Sequence, residues 1–144
     1  MKKFIPFFLF IVSSFSLQAQ DFSAWKLWEE AQFEDVYLEE YYAYVSLLIM
    51  DDDLKKLDGK EIIITGYYIP VMEEGVVILS KYPYANCFFC GGAGLESIVD
   101  IKTKKPLTQE FVTDDQLTFK GILRLNSENF IDLAFILEDA EMVK

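Results

Sequence analysis

The chemistry open to this chain is concentrated in one short block, Cys87-Phe88-Phe89-Cys90-Gly91-Gly92, which holds its only two cysteines. Thiols at this spacing on a tight turn face the same side, and a thiolate is both a soft-metal ligand and a nucleophile. A glycine directly after the second cysteine permits the left-handed backbone angle on which such a turn closes. Histidine is absent. With it go the Ser-His and Cys-His nucleophile pairs, the HExxH metalloproteases and every mixed Cys/His zinc site within one chain.

Four readings of the pair survive. The first is a ligand set for zinc, copper or another thiophilic metal; the turn is half of such a site, to be completed by Glu96 or by a second copy of the pair in a homodimer. The second is a disulfide, whose short closed loop removes little entropy from the unfolded chain. The third is dithiol exchange with a partner disulfide, with Cys87 attacking and Cys90 resolving. It differs from the thioredoxin arrangement, because Gly91-Gly92-Ala93-Gly94 cannot continue a helix behind the pair. The fourth is two inert buried thiols.

The elements around the block must position it. Lys81 to Gly94 holds Pro83, both cysteines and Gly91, Gly92 and Gly94, a composition of loops with unusual backbone angles. Before it, Asp58-Gly59 signals a turn, Glu61 to Pro70 a strand, Glu73-Glu74-Gly75 a second turn and Val76 to Ser80 a second strand. After it, Ser97 to Lys102, Gln116 to Leu125 and Phe130 to Leu137 read as strands, followed by a charged tail. Ser23 caps a short helix placing Trp25 and Trp28 on one face. Residues 31–50 fit neither the helical nor the strand period; Tyr42 to Ile49, closed by Asp51, Asp52 and Asp53, leans to a strand, with a helix as the alternative. Short consecutive strands with a helical signal only at the start predict a mainly β fold, a small five-stranded OB-like barrel with a short N-terminal helix.

At the N-terminus a Lys2-Lys3 head, an apolar run from Phe4 to Val12 and Ser13, Ser14 and Ser16 follow the layout of a signal peptide over residues 1–19, cleaved after Ala19. The run is shorter than the roughly 18 residues that cross a bilayer. A periplasmic or secreted product is expected, with residues 20–144 as one β-barrel domain. Cleavage removes two lysines and no acid, moving the formal net charge from −11 to −13. A domain whose only arginine is Arg124 offers no basic stripe for phosphates, which excludes nucleic acid as a partner. Tyr41, Tyr42, Tyr44, Tyr67, Tyr68, Tyr82 and Tyr84 could stack a glycan or a peptide; we assign them to core and rim packing, which β-rich domains demand.

Taken together, Leu57-Asp58-Gly59-Lys60, Thr65-Gly66-Tyr67, Leu79-Ser80-Lys81-Tyr82-Pro83 and Cys87-Phe88-Phe89-Cys90-Gly91-Gly92-Ala93-Gly94-Leu95-Glu96-Ser97 resemble an uncharacterised family of exported bacterial proteins with an OB-like barrel. The chain departs from that family at Leu95, where proline is usual. The resemblance implicates Cys87, Cys90, Glu96 and Ser97 as site residues, and it brings no activity. The leading expectation is a non-enzymatic envelope module whose Cys87/Cys90 loop, built on Gly91, Gly92, Gly94 and Ser97, binds a soft metal or a protein partner. A thiol-disulfide redox accessory and an interaction domain stapled by a structural disulfide are the alternatives.

Overall fold

The computed structural model describes residues 23–73 and 75–143; the signal peptide expected over residues 1–19 lies outside them. Seven strands are formed among the described residues: β1 (Phe33–Leu38), β2 (Ala43–Leu48), β3 (Glu61–Ile69), β4 (Val77–Ser80), β5 (Ile98–Thr103), β6 (Gln116–Leu125) and β7 (Phe135–Met142). β3 to β7 close a barrel in the order β3-β4-β5-β7-β6, with β6 returning to β3, and β1 and β2 form a separate two-stranded sheet. All barrel pairs are antiparallel except β5 with β7. A three-strand meander closed by a final pair through one parallel contact is the wiring of the OB-like barrel that the strand count predicts.

Strand alternation divides each barrel strand between two sides. The inward side carries Ile64, Val77, Leu79, Val99, Ile101, Phe119, Leu123, Phe135 and Leu137, all buried in one cluster. The outward side of three neighbouring strands carries Ile69, Ile78 and Ile98, also buried, so a second apolar cluster lies outside the barrel wall and must be covered by something else. The N-terminal helix is present as one 3-10 segment, Ser23–Leu27. Trp25 and Trp28 are both buried, edge to face at 5.8 Å, and Trp28 stacks on Phe135 at 4.9 Å. Trp25 Nε1 donates to the Thr65 carbonyl at 2.7 Å, fixing the segment to β3.

Three expectations need correction. Residues 31–50 hold two strands rather than one, because Glu39 to Tyr42 is a tight turn that folds β1 onto β2. Asp51 starts a helix instead of only ending a strand: its side chain accepts from the Asp53 and Leu54 amides at 2.9 and 2.8 Å, and α1 (Asp52–Leu57) follows, with Leu54 buried. The last strand begins at Phe135 rather than Phe130, and the charged tail is part of it. Residues 126–134 are held as a loop by the Asn126 and Asn129 side chains, which cap the amides of Glu128, Asn129, Ile131 and Asp132. No helix among the described residues is long and apolar enough to cross a membrane.

Candidate functional site: the cysteine loop and its groove

β4 and β5 are paired neighbours, so the segment between them, residues 81–97, leaves the barrel and returns at the same end. The Lys81 amide donates to the Ser97 carbonyl at 2.9 Å and closes its base. Three 3-10 turns fill it, Tyr84–Asn86, Phe88–Cys90 and Leu95–Ser97. The Cys87 carbonyl accepts from the amides of both Cys90 and Gly92, at 3.2 and 3.1 Å, which winds the chain around the pair. Gly91 then sits at φ +75°, the left-handed angle that the sequence demanded of a glycine there. Gly92 is required for a different reason: a Cβ on it would lie 2.7 Å from the Asn86 carbonyl oxygen.

The loop folds back onto the outer apolar patch. Cys87 is wholly buried against Ile69, Ile78 and Ile98, with Phe88, Leu95 and Leu133 packed around it, whereas Cys90 is exposed. Both are free thiols. Local desolvation first, then the Cys87 side chain through its charge and its hydrogen-bonding capacity, push the Cys90 thiol above its ordinary pKa. The neutral thiol is therefore the form that the fold favours; this preference holds below the ordinary thiol pKa and is lost as pH rises through the raised one. Alkylation with iodoacetamide should accordingly label Cys90 alone in the folded protein. Its rate should climb with pH to a midpoint above about 8.5, the value of a free cysteine. Mass spectrometry resolves this, and equal labelling of both cysteines would contradict it.

The other residues singled out from the sequence take structural parts. Glu96 turns its carboxylate back over Gly94 and its backbone carbonyl accepts from Trp28 Nε1 at 3.0 Å. Ser97 is buried, with its hydroxyl donating to the Gly94 carbonyl at 2.6 Å. No cluster of three or more histidine, cysteine, aspartate or glutamate side chains placed to hold a metal ion occurs among the described residues. Glu96 does not stand with the two thiols in such a cluster here. The attacking order expected for an exchange reaction is also reversed: only Cys90 is open to a partner, so it would attack, and the sealed Cys87 would resolve.

Two features beside the loop escaped the sequence reading. A groove of about 300 Å³ runs between β2, the cysteine loop and the 126–134 loop, lined by Ser46, Leu48, Phe88, Leu95, Asp132 and Leu133 among others. The β1–β2 turn touches the same loop through Tyr41 against Phe130 at 5.0 Å, and within the hairpin Tyr37 lies against Tyr44 at 5.1 Å. Tyr41, Tyr42, Tyr44, Tyr82 and Tyr84 are exposed, Tyr42 at 86% and Tyr44 at 72%, so of the seven tyrosines assigned to packing only Tyr67 and Tyr68 are half-buried. The signal that could have found the groove was five aromatic residues in residues 31–50 with no consistent apolar face to bury them. No protein-family model, no curated protein and no solved structure matches this chain.

Proposed function

We propose that the protein is an exported, non-enzymatic binding module of the cell envelope, and that its Cys87/Cys90 loop forms one wall of the site for a protein partner. The observation that carries this reading is the position of Phe88 and Leu95: both belong to the cysteine loop, and both line the groove shared with β2 and the 126–134 loop. Supporting it, Phe130 lines the groove exposed, with exposed Tyr41 against it at 5.0 Å, and aromatic rings anchor interfaces at low entropic cost. A soft metal enters this picture only with ligands from the partner or from a second copy, because the thiols gather no third ligand here. The N-terminal pattern of Lys2, Lys3 and the apolar run behind them supports export.

Site-directed photocrosslinking tests the reading. With benzoylphenylalanine in place of Phe88, irradiation of the native cells should yield one discrete adduct. The same residue in place of Lys55, exposed on α1, should yield none. Adducts from Lys55 as strong as those from Phe88, or none from Phe88, would remove the loop from any binding role.

A second reading, a thiol-disulfide accessory, is favoured by two free thiols three residues apart on one tight turn, one exposed and one buried. In it the Cys90 thiolate attacks a partner disulfide and expels one partner thiolate. Cys87 then attacks Cys90 Sγ and expels the second, so the pair loses two electrons and the partner gains them. A reduction potential between about −120 and −270 mV would mark such an exchanger, whereas one below about −300 mV would mark a staple.

A further inference from the structure

The groove beside the cysteine loop has a wall whose backbone hydrogen-bonding groups are unused. In the β1–β2 ladder the Ile49 amide donates to the Gln32 carbonyl at 2.9 Å. With Phe33 opposite Leu48 and Asp35 opposite Ser46, the pairs that exchange bonds are then Glu34 with Leu47 and Val36 with Val45. The N–H and C=O groups of Tyr44, Ser46 and Leu48 consequently point away from β1. No strand pairs with that outer edge among the described residues. Ser46, Leu47 and Leu48 line the groove, with Phe88, Leu95 and Leu133 also facing it.

An edge of this kind is normally guarded by lysine, proline or a bulge, since it is a template for another strand. β2 has none of these: its sequence is Ala43-Tyr-Val-Ser-Leu-Leu48, and its pairing with β1 runs without a register shift. The charge around it selects the occupant. The three segments framing the groove, residues 33–48, 81–97 and 126–134, carry seven carboxylates against one cation, Lys81, which is paired with Glu29 at 3.3 Å. Asp132 stands in the groove itself, and Asp35 accepts from the Ser46 hydroxyl at 2.6 Å. Lys102, whose charge reaches Asp132, is committed to Asp100 at 2.6 Å. The exposed rings of Tyr42 and Tyr44 add faces on which cations rest.

We propose that the outer edge of β2 takes up an extended, lysine- or arginine-bearing segment of a partner protein as an added strand. This rests on the binding-module reading and names the partner's chemistry. The segment's backbone pairs with Ser46 and Leu48, its apolar side chains lie against Phe88, Leu95 and Leu133, and its cationic side chains face the carboxylates and tyrosines.

The test titrates the full chain with a blocked hexapeptide of alternating lysine and valine and with its glutamate–valine counterpart, by calorimetry and amide NMR. The lysine peptide should bind, more weakly as salt is raised, and should shift and protect the Ser46 and Leu48 amides; the glutamate peptide should not bind. Ser46→Pro removes an outward N–H without touching the ladder to β1, as prolines on edge strands do, and should weaken binding at least about tenfold. Ser46→Ala, which loses the same bond to Asp35 and keeps the N–H, should stay within about twofold of the parent. Should Ser46→Pro misfold, a lysine peptide with alternate backbone amides N-methylated blocks pairing from the ligand's side and should fail to bind. Equal binding of both peptides, retained binding by Ser46→Pro or by the methylated peptide, or no binding of the lysine peptide would overturn the proposal. A dimer of this chain abolished by Ser46→Pro would overturn it too, by giving the edge to a second copy. In each of these cases a surviving Phe88 crosslink keeps the binding module and discards only the cationic strand, whereas its absence discards both.

Discussion

Replacing Trp28 with alanine should lower the unfolding free energy by about 3–5 kcal/mol, the range for deleting a fully buried large aromatic side chain. Trp28 is buried between Trp25, edge-on at 5.8 Å, and Phe135, stacked at 4.9 Å, so truncation opens a cavity with aromatic walls that cannot collapse onto each other. It also strips the Glu96 carbonyl of its donor at 3.0 Å, one of the bonds that hold the cysteine loop to the N-terminal segment. Trp28→Phe keeps a six-membered ring in the slot but loses that bond and the bulk of the pyrrole ring, and should cost about 1–3 kcal/mol. Chemical denaturation gives the free energies. Iodoacetamide under native conditions gives the second readout, since a loosened loop should admit reagent to Cys87 in the alanine variant. A loss below about 1 kcal/mol would mean that the indole packs less tightly than its contacts indicate.

The second large effect is expected at Gly121. It lies on β6 where the pairing with β7 slips, between Lys120 and Ile122, opposite a bulge in which Asp139 adopts φ +49°. A Cβ there would fall 2.6 Å from the Glu138 carbonyl oxygen, 2.9 Å from Leu137 Cγ and 3.1 Å from Ala140 Cα. The first and last of these are backbone, which can yield only by breaking the β6–β7 ladder. Gly121→Ala should therefore cost about 2–3 kcal/mol through overpacking. Gly75→Ala, at φ +80° with open space around it, should cost only about 1–2 kcal/mol from the left-handed angle alone. Thermal melts of the two variants separate the mechanisms, and the reverse ranking would contradict the account of the bulge.

The barrel was legible where strand period and burial agree. Gln116 to Lys120 alternates polar and apolar residues and the apolar pattern resumes through Leu123 and Leu125, and β6 has those bounds. β7 misled for a local reason: Phe130, Ile131, Leu133 and Ala134 attract a strand assignment, but Asn126 and Asn129 tie that stretch into turns, while Glu138, Asp139 and Glu141 tolerate a strand because they are exposed. β1 was missed because Glu34 and Asp35 sit together on a hairpin that never becomes a barrel wall, so no alternation marks it. The cysteine pair was legible as chemistry, and the left-handed Gly91 followed from residue type alone. Which thiol is sealed was not legible. That depends on Ile69, Ile78 and Ile98, contributed by three different strands to one outward patch, and such a meeting is a property of register rather than of any window of sequence.

The single parallel contact between β5 and β7 has a consequence for how the molecule is made. β7 supplies partners to both β5 and β6, so the cylinder cannot be sealed until Phe135–Met142 has followed the other four barrel strands. Ribosomes release that octad after the other four barrel strands, and every earlier nascent state exposes two raw strand borders. A chain shortened before residue 135 should then be sticky rather than merely weakened.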